Sequence, residues 1–130
     1  RSRDMTDRPI RILGPDHPIA ISPEPSRVVV TVGGQVVADT RRALSLKESS
    51  YPAALYVPRD DANMDLLTRS TLTTYCPYKG ECSYYSIPAG GDRSRDAVWS
   101  YEHPYDSVAA IRDHLAFYPD RVDSIQRSEA

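Results

Sequence analysis

Apolar and polar positions alternate with a period of two along most of this chain, and the alternation begins sharply at Arg27. The run Arg27-Val28-Val29-Val30-Thr31-Val32 is β-branched and predicts a strand. Gly33-Gly34 supplies the positive φ angles of a two-residue hairpin turn, and Gln35-Val36-Val37-Ala38-Asp39 returns as its partner. Ala43 to Glu48 alternates again and predicts the next strand, and Ala53 to Val57 another, ended by Pro58. Thr71 to Tyr75 and Cys82 to Ile87 read as two strands around the loop Cys76-Pro77-Tyr78-Lys79-Gly80. Further strands are expected over Asp96 to Tyr101, Leu115 to Tyr118 and Arg121 to Ile125.

Helical signals are few. Asp60-Asp61 is expected to cap a short turn with Met64, Leu66 and Leu67 on its apolar side; at that length it depends on packing rather than propensity. Asp106 or Ser107 is expected to cap a second helix in which Val108, Ile111 and Leu115 share a face. Before the hairpin the chain is rich in proline (Pro9, Pro15, Pro18, Pro23, Pro25), which lacks the N–H a ladder needs. This stretch reads as an extended arm, with His17 to Ile21 as an edge strand. Ala89 to Arg93 reads as a polar loop, with Asp92-Arg93 and Arg95-Asp96 in solvent, and the chain end as loose. Helices do not alternate with strands, so a parallel βαβ sheet is not expected. The expected fold is mainly β: a single small domain of folded antiparallel sheets with one or two short helices. It spans residues 17–127, with an N-terminal arm over 1–16 and a tail over 128–130. Met5 is the expected native start, with Arg1 to Asp4 preceding it.

Composition narrows the function classes. The 130 residues give room for one core, with 40% hydrophobic and 26% charged positions. A formal net charge of -2 argues against a dedicated nucleic-acid binder, which carries a basic patch dense enough to release counterions. No run of about 20 apolar residues predicts a membrane span, and no signal-peptide pattern opens the chain. A cytoplasmic protein is expected. Nine Tyr stand against one Phe and one Trp. A buried Tyr needs a partner for its hydroxyl, so this bias suits a polar-lined cavity or an interface as well as a half-exposed sheet.

Several phrases recur together in a known family. They are Gly33-Gly34-Gln35-Val36-Val37-Ala38-Asp39-Thr40, Leu46-Lys47-Glu48, Tyr56-Val57-Pro58-Arg59-Asp60-Asp61 and the segment from Thr74-Tyr75-Cys76-Pro77 through Tyr78-Lys79-Gly80-Glu81 to Cys82-Ser83-Tyr84-Tyr85. Ala97-Val98-Trp99-Ser100-Tyr101 and Ala116-Phe117-Tyr118-Pro119 complete the set. In this order, from about Pro18 to Ile125, the chain resembles the bacterial and fungal domain-of-unknown-function family 427, sometimes labelled nucleotidyltransferase-like. The resemblance implies a β-tent fold related in shape to zinc-ribbon-containing domains and a class of methionine sulfoxide reductases. It implies no established activity. Cys82 stands where the family pattern has Ala, so it is not expected to take part in family-wide chemistry.

The candidate chemistry is confined to a few residues. The two cysteines have a Cys-x5-Cys spacing without any Cys-x-x-Cys, and His17, His103 and His114 are scattered, so neither a structural zinc nor any other cofactor is expected. Cys76 and Cys82 flank a hairpin loop and could sit opposite each other, but a cytoplasmic setting opposes a disulfide. Cys76 precedes Pro77 and lies near Lys79, which would favour its thiolate; with Glu48 in the same cavity it is a candidate nucleophile, while a small buried packing residue is the plainer alternative. Lys79-Gly80 offers a point charge and close backbone approach for an anion, though the P-loop spacing is absent. Trp99 and Tyr101 share a strand face, and only one of Tyr84 and Tyr85 can join them. No carboxylate arrangement suits two-metal nucleotidyl transfer.

Three functions follow. The first is a small-molecule-binding module with Glu48, Tyr84, Trp99 and Tyr101 lining a cleft, Lys79 at its mouth, and Gly80 and Tyr78 beside it. The second is an enzyme using Cys76 or Glu48 in that cleft for acyl, sulfur or nucleotidyl transfer. The third is a structural or interaction domain, with a homodimer through the hairpin edge as one form of it.

Overall fold

In the computed structural model, which describes residues 14–129, the β-branched run forms strand β2 (Arg27–Val32) with strictly alternating burial. Val28, Val30 and Val32 face inward and are fully buried, each contributing about 1.5–3 kcal/mol relative to exposure. The glycine turn leads to β3 (Gln35–Thr40) as the pattern requires. Gly33 has φ of 57°, and a Cβ there would meet the Ala89 carbonyl oxygen at 2.5 Å, so the turn also lets the hairpin tip pack on residues 88–94. β10 (Ser124–Ser128) flanks β2 on its other side to complete a three-stranded sheet.

The second sheet has seven strands. β1 (Ile19–Pro23) forms one edge and pairs with β4 (Leu44–Glu48), which pairs with β5 (Ala54–Pro58). Next come β9 (His114–Phe117), β8 (Val98–Ser100), β7 (Gly80–Ser86) and, at the far edge, β6 (Thr68–Cys76). All pairings in both sheets are antiparallel. The mainly-β expectation therefore holds.

Period-two alternation divides the large sheet between two cores. Val57, Tyr85, Val98, Leu115 and Phe117 join Val28, Val30, Val32 and Val37 in one cluster that draws on both sheets. Their neighbours Tyr56, Tyr84 and Ala116 face the other way, into a second cluster with Leu46, Cys82, Tyr101, Val108 and Ile111. Tyr84 and Tyr85 thus point to opposite faces.

Several local expectations are corrected. Asp60 and Asp61 cap nothing: the 3₁₀ turn Arg59–Asp61 has no side-chain cap, and Asp61 instead accepts hydrogen bonds from Thr40 Oγ1 at 2.6 Å and Arg42 at 3.2 Å. The cap in this region is Asn63, whose side chain accepts from the Asp65 N–H at the start of Met64–Leu66. The expected helix with Val108, Ile111 and Leu115 on one face is a 3₁₀ segment, Asp106–Ile111, with neither Asp106 nor Ser107 as cap. Asp113 follows with φ of 57°, which ends the turn and sends Leu115 into β9. Residues 88–94 are 3₁₀ rather than open loop. Asp92, Arg93 and Arg95 are exposed as expected, Arg93 being also tied to Asp123 and the Val122 carbonyl, and of the four only Asp96 is half-buried. The last strand starts three residues later than expected because Pro119–Arg121 is a 3₁₀ turn. The hairpin's outer edge is engaged by the segment after β5, through an Ala38–Ala62 bridge and a bond from Asn63 N–H to the Val37 carbonyl. Met5 and its predecessors lie outside the described residues.

Candidate functional site

The second cluster borders a cleft of about 800 Å³. Its lining is largely apolar, with Leu46 from this cluster and Val28, Val30, Val57 and Phe117 from the first. Tyr56, Tyr84, Trp99, Tyr101 and Tyr118 supply an aromatic lining, and the charged residues that reach it are Glu48, Lys79 and Arg127.

Strand register explains the aromatic wall. Tyr84 on β7 lies directly opposite Trp99 on β8, and Trp99 opposite Ala116 on β9, whose small side chain leaves the ring room. The Trp99 indole N–H donates to the Tyr56 hydroxyl at 3.0 Å, and the Trp99 ring lies 4.5 Å from that of Tyr118. Tyr84 and Thr74 share a hydroxyl hydrogen bond of 2.8 Å. These contacts fix the rings and satisfy their polar atoms. Burial pushes the Tyr56, Tyr84 and Tyr101 phenols well above the ordinary tyrosine range, so all three are neutral hydroxyls at neutral pH.

At the polar part of the cleft, Lys79 Nζ donates to Glu48 Oε1, with the ammonium 5.5 Å from the centre of the Tyr101 ring. The Lys79 side chain is 9% exposed and that of Glu48 16%. The other Glu48 oxygen is bonded to His17 Nε2 at 2.7 Å, and the His17 ring stacks flat on Tyr78 at 3.7 Å. Burial alone would raise the Glu48 pKa. The hydrogen bonds from Lys79 and His17, with their charges, outweigh it and hold the carboxyl below its ordinary value. Glu48 therefore stays ionised and links the cleft to the half-exposed His17.

Of the residues singled out from sequence, Glu48, Lys79, Tyr84, Trp99 and Tyr101 converge on the cleft. Tyr78 stands behind it as the platform for His17. Gly80 has φ of 111° and faces the backbone of residues 103–105, so its freedom shapes the turn that carries Lys79. Cys76 is half-buried at the end of β6 and does not line the cleft. Register sets Cys76 opposite Gly80 and Cys82 opposite Thr74, and both thiols are free. Burial raises the pKa of Cys82, leaving it a buried thiol rather than a nucleophile.

Sequence reasoning missed Tyr56, Tyr118, Arg127 and His17. Alternation within Ala54–Pro58 places Tyr56 on the face opposite Val57, and this signal was available. Nothing local announces that His17 meets Glu48 across 31 residues. A second charged group lies away from the cleft: Arg69 forks onto Glu102 at 2.8 and 3.0 Å, and Arg59 and Arg69 flank the Tyr85 ring. Tyr85 donates to Glu102, so this group is internally satisfied. Among the described residues, no three His, Cys, Asp or Glu side chains converge to hold a metal ion. No described helix is long and apolar enough to cross a membrane.

Residues 20–128 match the family described as Domain of unknown function (DUF427), and the chain belongs to it. Among curated proteins, none matches the chain.

Proposed function

We propose that this DUF427 member is a cytoplasmic small-molecule-binding domain. Its cleft takes a ligand with an apolar body and one polar group, the body along the aromatic wall and the polar group against Lys79 and Glu48. One observation carries the reading: a mostly buried ion pair faces a largely apolar and aromatic cleft of about 800 Å³, a size typical of small-ligand sites. Desolvating two charges costs about as much as their attraction returns, so stability alone gives little reason to keep the pair there. Both Glu48 oxygens already have partners, whereas Lys79 has N–H donors to spare. The polar group that fits best is therefore a hydrogen-bond acceptor, such as a carboxylate or carbonyl. An enzymatic use of the cleft is the second reading, and the placement of Cys76 off the cleft favours Glu48 and Lys79 over Cys76 as its agents.

Trp99 is the sole tryptophan and lines the cleft, so its emission reports occupancy. Small aliphatic and aromatic acids, aldehydes and ketones should change it saturably. At a hundredfold excess over Kd they should also stabilise the fold by about 2.7 kcal/mol. If no compound of this class changes Trp99 emission or the melting temperature, the reading fails.

A further inference from the structure

We propose that Lys79 captures carbonyl compounds covalently, forming a reversible imine with an aldehyde or ketone bound in the cleft. The inference rests on the cleft being a ligand site and adds the chemistry of that site. A lysine enclosed by apolar and aromatic groups is the setting in which an amine becomes a useful nucleophile, provided a nearby group takes its proton. Lys79 meets both conditions. It is 9% exposed, lies over the Tyr101 ring, and donates directly to the Glu48 carboxylate, the one base in contact with its ammonium among the described residues. Glu48 is bonded in turn to His17, which is partly open to solvent and gives the proton a path out of the cleft. Tyr101, buried beside the ammonium, adds no competing charge there.

The step balances without any further reagent. Glu48 takes one proton from the Lys79 ammonium. The freed amine lone pair attacks the carbonyl carbon, forming the C–N bond as the C=O π bond opens, and a nitrogen proton passes to the oxygen. Glu48 returns its proton to that hydroxyl, which leaves as water while the nitrogen lone pair closes the C=N bond. The product is one iminium and one water from one ammonium and one carbonyl. The positive charge stays beside Glu48, so the ion pair persists in the adduct.

The chain has two lysines, which gives an internal control. Lys47 is exposed and its ammonium donates to the backbone carbonyls of Ser49 and Tyr51. The test treats the full chain with octanal and sodium cyanoborohydride and maps the octyl adducts by peptide mass, while Trp99 emission is followed with octanal alone. The expected result is modification of Lys79 at least about tenfold faster than Lys47, saturating with octanal and slowed by octanol. Glu48→Gln should slow the Lys79 reaction and leave Lys47 unchanged. Equal or slower modification of Lys79, or no saturation, overturns the imine. Trp99 emission then separates the two claims: a saturable change without Lys79 modification leaves a binding cleft without imine chemistry, and no change removes octanal binding as well.

Discussion

Glu48 and Lys79 lie 31 residues apart in sequence, yet the carboxylate at the end of β4 accepts a hydrogen bond from the ammonium carried by the β6–β7 turn. The pair joins the part of the large sheet that holds β1, β4 and β5 to the part that holds β6 and β7. It is also the polar feature around which the cleft is arranged.

Removing one partner strands the other in a low-dielectric site. Glu48→Ala should destabilise the fold by roughly 3 kcal/mol, the low end for a buried pair because both side chains retain some exposure. Lys79→Met should cost a similar amount. Combining Glu48→Ala with Lys79→Met should cost less than the two single changes added together, because neither charge is then left alone. Urea denaturation of the two single variants and the double variant measures this coupling.

The acid limb of stability should carry the signature of Glu48. Its folded pKa is held below its ordinary value of 4.5, so its contribution is present above that value and fades as pH falls through the folded one. Glu102 is lowered in the same way: burial opposes ionisation there, but its bonds with Arg69 and Tyr85 prevail. Melting temperature should therefore drop as pH falls below 4.5, and Glu48→Gln should flatten part of that drop. A Glu48→Gln profile parallel to the wild type would contradict the assignment.

On the alkaline side the sign reverses. Tyr56, Tyr84 and Tyr101 hold their protons in the folded chain well past 10.0, where the unfolded chain releases them. Stability should decline as pH rises beyond 10.0. Phenolate absorbance should show these three tyrosines ionising together with unfolding rather than before it.

The hairpin turn offers a local test. Gly33 and Gly34 both have positive φ, but a methyl group on Gly33 would strike the Ala89 carbonyl, whereas Gly34 has open space around it. Gly34→Ala should cost about 1 kcal/mol from backbone strain alone, and Gly33→Ala clearly more. Equal losses in thermal denaturation would show that the contact with Ala89 carries no weight.

Much of the fold was legible because strand patterning is local. Val28, Val30 and Val32 announce their own face, and Gly33-Gly34 announces the turn. The face shared by Trp99 and Tyr101, and the split between Tyr84 and Tyr85, followed from the same period. The helical segments were less legible: a 3₁₀ turn of three residues has little periodicity, and Asp113 at positive φ ended the segment that Leu115 seemed to extend. At the site, Glu48 and Lys79 could be suspected of sharing a cavity, but His17 could not be added. Its role depends on the arm bringing it against both Glu48 and Tyr78, a long-range arrangement with no local pattern.

The most direct test of the binding cleft is native mass spectrometry of gently purified protein, set against its denatured mass. The account predicts a mass excess that disappears on denaturation or on displacement by an added small acid or carbonyl compound, and that is lost in Lys79→Met. After borohydride reduction, an imine-forming ligand would leave part of that excess fixed to the chain. A bare chain mass, unchanged after incubation with the whole ligand class, would contradict the central claim and leave the cleft a packing feature of the fold.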